Sequence, residues 1–395
     1  MANPFDRVPD RRDPNLLNKW TWYPNDVIPM WVADMDFRAP PAVLSALKKA
    51  VEHGVLGYEL PSKALLETVA RRMDRLYGWK VDPDSIVTVT GIVSGFHVAG
   101  RAFCTERQSY LIQPPVYNEF HSLKTSLGLE QLEAPLLETI KGNILHYEVN
   151  WEAFEQQARK AGMFLLCNPH NPLGLIYSRR DLRRMADICM QHGVLIVADE
   201  IHSELLLGDE KFLPMAKLSS EVARNTVTLV SPSKTFNVPG LFCGFAIIPN
   251  PDLRAKYAGV VEHLRMHTSS FGLLAARAAF SGECDDWLKD LRAYLTANRD
   301  YVIDYVDQYL PDVRVTRPAG TYLAWLDFRP LVEQRRITGS PFDFFINEAK
   351  VALSDGKIFA EEYAEYVRLN FGTTRRTLKQ GLDRMRDAIY RRNNG

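Results

Sequence analysis

Between Ser85 and Ile248, short apolar runs alternate with longer stretches whose apolar residues recur at helical spacing. The runs are Ile86–Thr90, Tyr110–Ile112, Phe164–Cys167, Val194–Ala198, Val227–Val230 and Gly244–Ile248. They are short and apolar at consecutive positions, as strands covered on both faces are. Trp151–Ala161 and Arg179–His192 carry the 3.6-residue period of helices. Strands alternating with helices predict an α/β domain built on a mostly parallel, doubly wound sheet. Right-handed crossovers would place its helices on both faces.

Past Phe271 the texture changes. Leu273–Tyr309 reads as long helices broken near Gly282. A strand at Tyr322–Asp327, a helix over Pro341–Lys350 and a strand at Tyr366–Phe371 follow. This predicts a smaller α+β domain. A chain of 395 residues exceeds one ordinary domain of about 100–200 residues. The expected division is a large domain over residues 45–275 and a second over 1–44 and 276–395. The N-terminal segment would pack beside the second domain or cross to a partner subunit.

Charge narrows the function classes. Lys and Arg number 48, as do Asp and Glu, so the formal net charge is zero. Nucleic-acid and membrane-surface proteins normally carry a basic bias, so neither partner is expected. No apolar run approaches the roughly 20 residues that span a bilayer, and Met1–Asp10 holds no apolar stretch of a secretory leader. The five cysteines, Cys104, Cys167, Cys189, Cys243 and Cys284, are odd in number and lack CxxC spacing. A disulfide framework or a metal site is therefore not expected, and a reducing, cytoplasmic compartment is.

In open α/β sheets ligands sit at the carboxyl ends of the strands. Four polar clusters fall there: Thr90-Gly91, Asn168–Gly174, Asp199–His202 and Ser231–Lys234. A lysine just past a buried strand is either a loop lysine or an amine whose pKa desolvation lowers for nucleophilic work. Asp199 reads as a helix N-cap or as a carboxylate partner for a bound group. His202 alone is more often a structural hydrogen-bonding residue than a catalyst. Asn171 lies in a rigid Asn/Pro turn. Gly91, Ile92 and Val93 open a helix after a strand, where free N–H groups suit a phosphate. Neither GxGxxG nor a Walker sequence occurs, so nicotinamide and nucleotide readings lose their main support.

The order Asn168-Pro-His-Asn-Pro-Leu-Gly174, Asp199-Glu-Ile-His-Ser-Glu-Leu205, Ser231-Pro-Ser-Lys-Thr-Phe-Asn237 and Val367-Arg-Leu-Asn-Phe-Gly372 resembles fold-type-I enzymes dependent on pyridoxal 5′-phosphate (PLP), of the class I/II aminotransferase group. Pro29–Phe37, Gly57-Tyr58 and Gly320–Asp327 narrow it to the MalY/PatB-type cystathionine β-lyases, or C–S lyases. The resemblance covers nearly the whole chain.

It implies an aspartate-aminotransferase-like fold and a role for each matching position. Lys234 matches the Schiff-base lysine and catalytic residue. Asp199 matches the partner of the pyridine nitrogen. Asn171 matches the donor to the cofactor's phenolic oxygen, and His202 stands where many aminotransferases place a tyrosine for that oxygen. Tyr117 matches the ring that stacks on the cofactor. Ser231, Ser233, Gly91, Ile92 and Val93 would hold the phosphate, with Tyr58 reaching it from the other subunit of a homodimer. Arg368 matches the grip on the substrate carboxylate, and Ala33 and Tyr322 stand beside the substrate.

Many aminotransferases place an arginine against the phosphate eight positions past the lysine; here it is Phe242. That departure favours the lyase branch and a phosphate held by neutral donors. The implied reaction is β-elimination on an S-substituted L-cysteine such as cystathionine, giving a thiol, pyruvate and ammonia. An aminotransferase acting on an L-amino acid uses the same residues and is the alternative. A regulatory PLP-fold protein contacting a transcription factor is another, of a different class.

Overall fold

The computed structural model describes residues 3–13 and 15–391. Residues 1, 2 and 392–395, the outer ends of the expected second-domain segments, lie outside the described residues, as does Pro14.

The six apolar runs, with a further strand at Glu130–Glu133, form a sheet of seven strands among the described residues. Across the sheet they run Ile86–Val89, Gly244–Ile247, Thr226–Val230, Leu195–Asp199, Met163–Cys167, Ser109–Ile112 and Glu130–Glu133. Gly244–Ile247 is antiparallel to both neighbours, and the five strands from Thr226–Val230 onward are mutually parallel. Side chains on the Met163–Cys167 strand alternate between two cores. Met163, Leu165 and Cys167 join Phe96, Leu229 and Tyr257 on one face. Phe164 and Leu166 join Leu182, Met185 and Ile196 on the other. That period-two alternation, with both faces buried, is why the run reads as continuously apolar.

Arg179–Gln191 is a helix, capped where the Ser178 hydroxyl accepts from Asp181 N–H. The helical break near Gly282 separates Ser270–Phe280 from Asp285–Tyr309. The second sheet orders Ser354–Asp355, Tyr366–Asn370, Leu323–Asp327, Arg314–Thr316, Ile144–Glu148 and Leu137–Lys141. Two of its strands, over 137–148, come from inside the stretch read as the large domain. Their polar, half-exposed pattern hid them from a search for buried strands. The helix read over Pro341–Lys350 is α-helical at Pro341–Phe344 and continues as a π-helical turn, Phe345–Ala349. Near the N-terminus, Ile28–Pro29 pairs with Val351–Ala352, so the strap that follows, Trp31–Phe37, crosses toward the strand ends of the large sheet.

Candidate active site

The carboxyl ends of the parallel strands enclose a cavity of about 370 Å³. Lys234 enters it from the first turn of the short helix Pro232–Thr235. Ser231 caps that helix: its hydroxyl accepts from Ser233 N–H at 3.1 Å and donates to the Cys243 carbonyl at 2.7 Å. Lys234 Nζ donates to the Ala33 carbonyl at 2.7 Å. Burial pulls this amine down to about 8, with Asp34 and Asp199 opposing the shift and Arg368 adding to it. An ammonium costs free energy where water is excluded, so the neutral, nucleophilic form becomes accessible near physiological pH.

Asp199 ends its strand and faces the same cavity. One carboxylate oxygen accepts from Ile201 N–H at 3.1 Å. Burial pushes this carboxyl up to about 7, against that bond and the Lys234 charge. A cation brought against it would restore the charged form. His202 also lines the cavity. Burial, then Lys234 and Arg368, hold its imidazole down at about 3, so the ring is neutral. Its Nδ1 is buried with no hydrogen-bond partner among the described residues.

Asn171 sits in the turn that follows Met163–Cys167. Gly174 closes this turn at φ +69°, where a Cβ would stand 2.4 Å from Pro318; only glycine fits that conformation and that contact. Asn171 Oδ1 accepts from Arg368 Nη1 at 2.9 Å, which leaves the amide NH2 as a donor. Arg368, on Tyr366–Asn370, also donates to Trp31 O at 2.9 Å and to Ser354 Oγ at 3.0 Å. It lies over the Phe359 ring. The guanidinium is buried, makes no ion pair among the described residues, and keeps Nε unpartnered. Burial lowers its pKa to about 10. A buried cation without a counter-charge calls for an anionic ligand.

Arg368 is not among the residues that line the cavity, and reaches it through Asn171; the lining itself suits another anion and a flat ring. Gly91, at φ +150°, starts the helix Ile92–Phe103 without a side-chain cap, leaving its first N–H groups for a ligand. Tyr117 forms part of the wall and meets Phe120 edge-on with ring centroids 6.0 Å apart.

Residues 25–385 match the family described as aminotransferase class I and II. The chain belongs to that family. It is 36% identical to cystathionine β-lyase PatB of Bacillus subtilis over 92% of this chain and 93% of that protein. Identity to cystathionine β-lyase of Corynebacterium glutamicum is 31%, over 94% of this chain and 96% of the relative. The crystal structure of cystalysin from Treponema denticola, which contains a PLP cofactor, superposes with a TM-score of 0.91 at 27% identity. That match covers 99% of this chain and 100% of cystalysin. The resemblance read from the motifs and the fold class are thereby shown.

Among the residues matched to the aminotransferase pattern, the cavity gathers Ala33, Gly91, Ile92, Val93, Tyr117, Asn171, Asp199, His202, Ser233 and Lys234. Ser231 does not line it; its hydroxyl is spent on the helix cap and on Cys243. Tyr322 is buried behind the wall and donates to Ala33 O at 2.8 Å. Tyr58 lies apart, fully exposed on a segment without regular structure. Thr90, Ser94, Cys167, Ile201, Pro239 and Phe242 also form the wall. Thr90 and Ser94 bracket the glycine motif, and their hydroxyls, 2.9 Å apart, were a legible signal. Pro239, the first residue of the 3₁₀ turn Pro239–Leu241, gave none.

Proposed function

We propose that the protein binds PLP at Lys234 and eliminates the thiol from an S-substituted L-cysteine, with water completing the release of pyruvate and ammonia. One observation carries this reading: an amine lowered to about 8 and a carboxyl raised to about 7 face one cavity. Neither is stable as a lone buried charge. PLP would suit both: Lys234 would hold it at the aldehyde carbon, and Asp199 would pair with its ring nitrogen.

The other groups suit the rest of the cofactor. The Asn171 NH2, oriented by Arg368, would donate to the phenolic oxygen. The Ile92 and Val93 N–H groups and the Ser233 hydroxyl would hold the phosphate without an arginine, and Phe242 stands where such an arginine would be. When bound, PLP draws the electron pair left on the substrate α-carbon into its ring. Arg368 would grip the substrate carboxylate and so fix the α-proton against the Lys234 amine, which removes it as general base. Asp199 would hold a proton on the ring nitrogen, which makes this withdrawal effective. The relatives' names as cystathionine β-lyases support elimination over amino-group transfer.

We also infer a cytoplasmic homodimer with shared sites. All five cysteines are free and buried, which suits a reducing compartment. Among the described residues no helix is long and apolar enough to cross a membrane. Val51, Val55, Leu56, Tyr58 and Leu60 form an exposed apolar stretch, which suits a subunit contact.

The test is incubation with L-cystathionine and no oxo acid. Sustained release of pyruvate, ammonia and homocysteine is expected. A single turnover that resumes only on adding an oxo acid would identify a transaminase instead.

A further inference from the structure

Four charged side chains are gathered on the strap that Lys234 touches. Lys19 Nζ lies 3.0 Å from both Asp34 Oδ1 and Asp36 Oδ1. Arg11 reaches Asp34 at 2.6 Å and Asp36 at 3.3 Å. Trp20 Nε1 donates to Asp36 at 2.8 Å. Lys19 is only 4% exposed and Asp36 only 2%. Desolvating Lys19 and Asp36 is expensive, and apolar replacement of buried ion pairs is often neutral or stabilising. Stability alone is therefore a weak account of this cluster.

Its location supplies a better one. Asp34 directly follows Ala33, whose carbonyl receives the Lys234 amine. The strap is locked in place on both sides. Asn237 Nδ2 donates to Met35 O at 2.9 Å and to Phe37 O at 2.7 Å, while Met35 N–H donates to Asn237 Oδ1 at 2.9 Å. Asn370 Nδ2 donates to Val32 O at 2.6 Å and to Asp34 O at 2.7 Å. The Asp34 backbone is thus held one residue from the carbonyl that takes the Lys234 amine, and Lys19 and Arg11 hold its carboxylate.

We propose that Asp34, neutralised by Lys19 and Arg11, is a positioning residue that sets the charge state of the Lys234 nitrogen through the strap. The inference rests on the reading that Lys234 carries PLP. Other charged or titratable groups face Lys234 from separate elements: Arg368 from the second sheet, Asp199 and His202 from a strand end, and Tyr322 from behind Ala33. None of these belongs to a balanced cluster, whereas Asp34 shares one of two cations and two anions with Asp36, Lys19 and Arg11. Asp34 also holds the Lys234 amine up against the effect of burial. Removing one member leaves one uncompensated charge near the nitrogen, and its sign depends on which member goes.

The test is a pH titration of the visible absorbance of the PLP-loaded enzyme. Asp34→Asn leaves a net positive cluster, which disfavours the protonated nitrogen, so the midpoint should fall by about one unit. Lys19→Met leaves a net negative cluster, and the midpoint should rise. Arg11→Gln, at a partly exposed site, should also raise it and serves if Lys19→Met does not fold. Asp34→Glu should restore a midpoint close to that of the unaltered enzyme. Midpoints that stay fixed, or that move the same way on loss of anion and cation, would overturn the proposal. Absence of any visible band in the unaltered protein would overturn the cofactor reading and this inference with it.

Discussion

Arg368 Nη1 donates to Asn171 Oδ1 across 2.9 Å, so the group proposed to hold the substrate also orients an amide proposed to hold the cofactor. Arg368 lies on a strand of the second sheet, and Asn171 in the turn that follows a strand of the first. Replacing Arg368 by alanine should therefore raise KM and lower kcat/KM by a factor equivalent to about 2–5 kcal/mol, the usual cost of losing one partner of a buried charged pair. Lysine should not rescue, because one ammonium cannot reach Asn171, Trp31 and Ser354 in the plane a guanidinium spans. Steady-state kinetics on both variants checks this, and near-normal kcat/KM in Arg368→Lys would contradict it.

Asp199 couples function to stability. Its carboxyl is pushed up to about 7 in the folded protein, against a reference of 3.8. The folded state therefore holds the proton more tightly than the unfolded chain does. Folding is favoured below the reference value, and this contribution is lost as pH rises toward 7. Asp199→Asn should stabilise the cofactor-free protein, with a gain that grows from pH 4 to 7 and is then level. The same variant should lose roughly 10²–10³ or more in turnover, because the ring nitrogen loses its partner. Thermal melts of the cofactor-free protein across pH, paired with activity assays of the loaded form, test both halves.

The two serines near Lys234 should separate. Ser231→Ala removes a helix cap and should cost about 1 kcal/mol of stability, with cofactor affinity nearly unchanged. Ser233→Ala removes a hydroxyl from the cavity wall and should weaken PLP binding with little loss of stability. Denaturant titrations and PLP-binding isotherms on both variants decide it. Equal weakening of PLP binding would mean that Ser231 reaches the phosphate after all.

The contrast shows where sequence reading succeeds. Asp199 ends a buried strand, and Asn171 and Lys234 come within four residues of the ends of two others, so chain order alone places them at the carboxyl ends of the strands. The strands over 137–148 were not legible, because their half-exposed polar pattern resembles a loop. Neither was the placing of the two serines, since both hydroxyls fit the motif and only the structure puts the Ser231 hydroxyl on the Cys243 carbonyl and 2.6 Å from that of Ser233. The pairing of Lys19 with Asp34 and Asp36 depends on the path of the N-terminal segment, which no local periodicity encodes.

Tyr58 gives the last prediction. Within one subunit it is fully exposed, and nothing in its own chain brings it to the cavity. Four neighbouring apolar residues, Val51, Val55, Leu56 and Leu60, are exposed with it. A lone exposed aromatic needs no explanation, but five exposed large apolar residues between positions 51 and 60 do. If a second copy covers the stretch, Tyr58 can reach the phosphate of the partner's site, and each site then takes residues from two chains. Tyr58→Ala and Lys234→Ala homodimers should each be nearly inactive. Unfolding and refolding the two together should yield hybrids in which one of the two sites holds both intact residues. Up to about half of the dimers would be hybrids by random pairing, so activity should return to roughly a quarter of the unaltered level. That figure follows from one working site per hybrid, and losses on refolding lower it. A control refolding each variant alone should recover none. Dimers shown by light scattering and subunit exchange to have mixed, yet without recovered activity, would show that Tyr58 does not complete the partner's site.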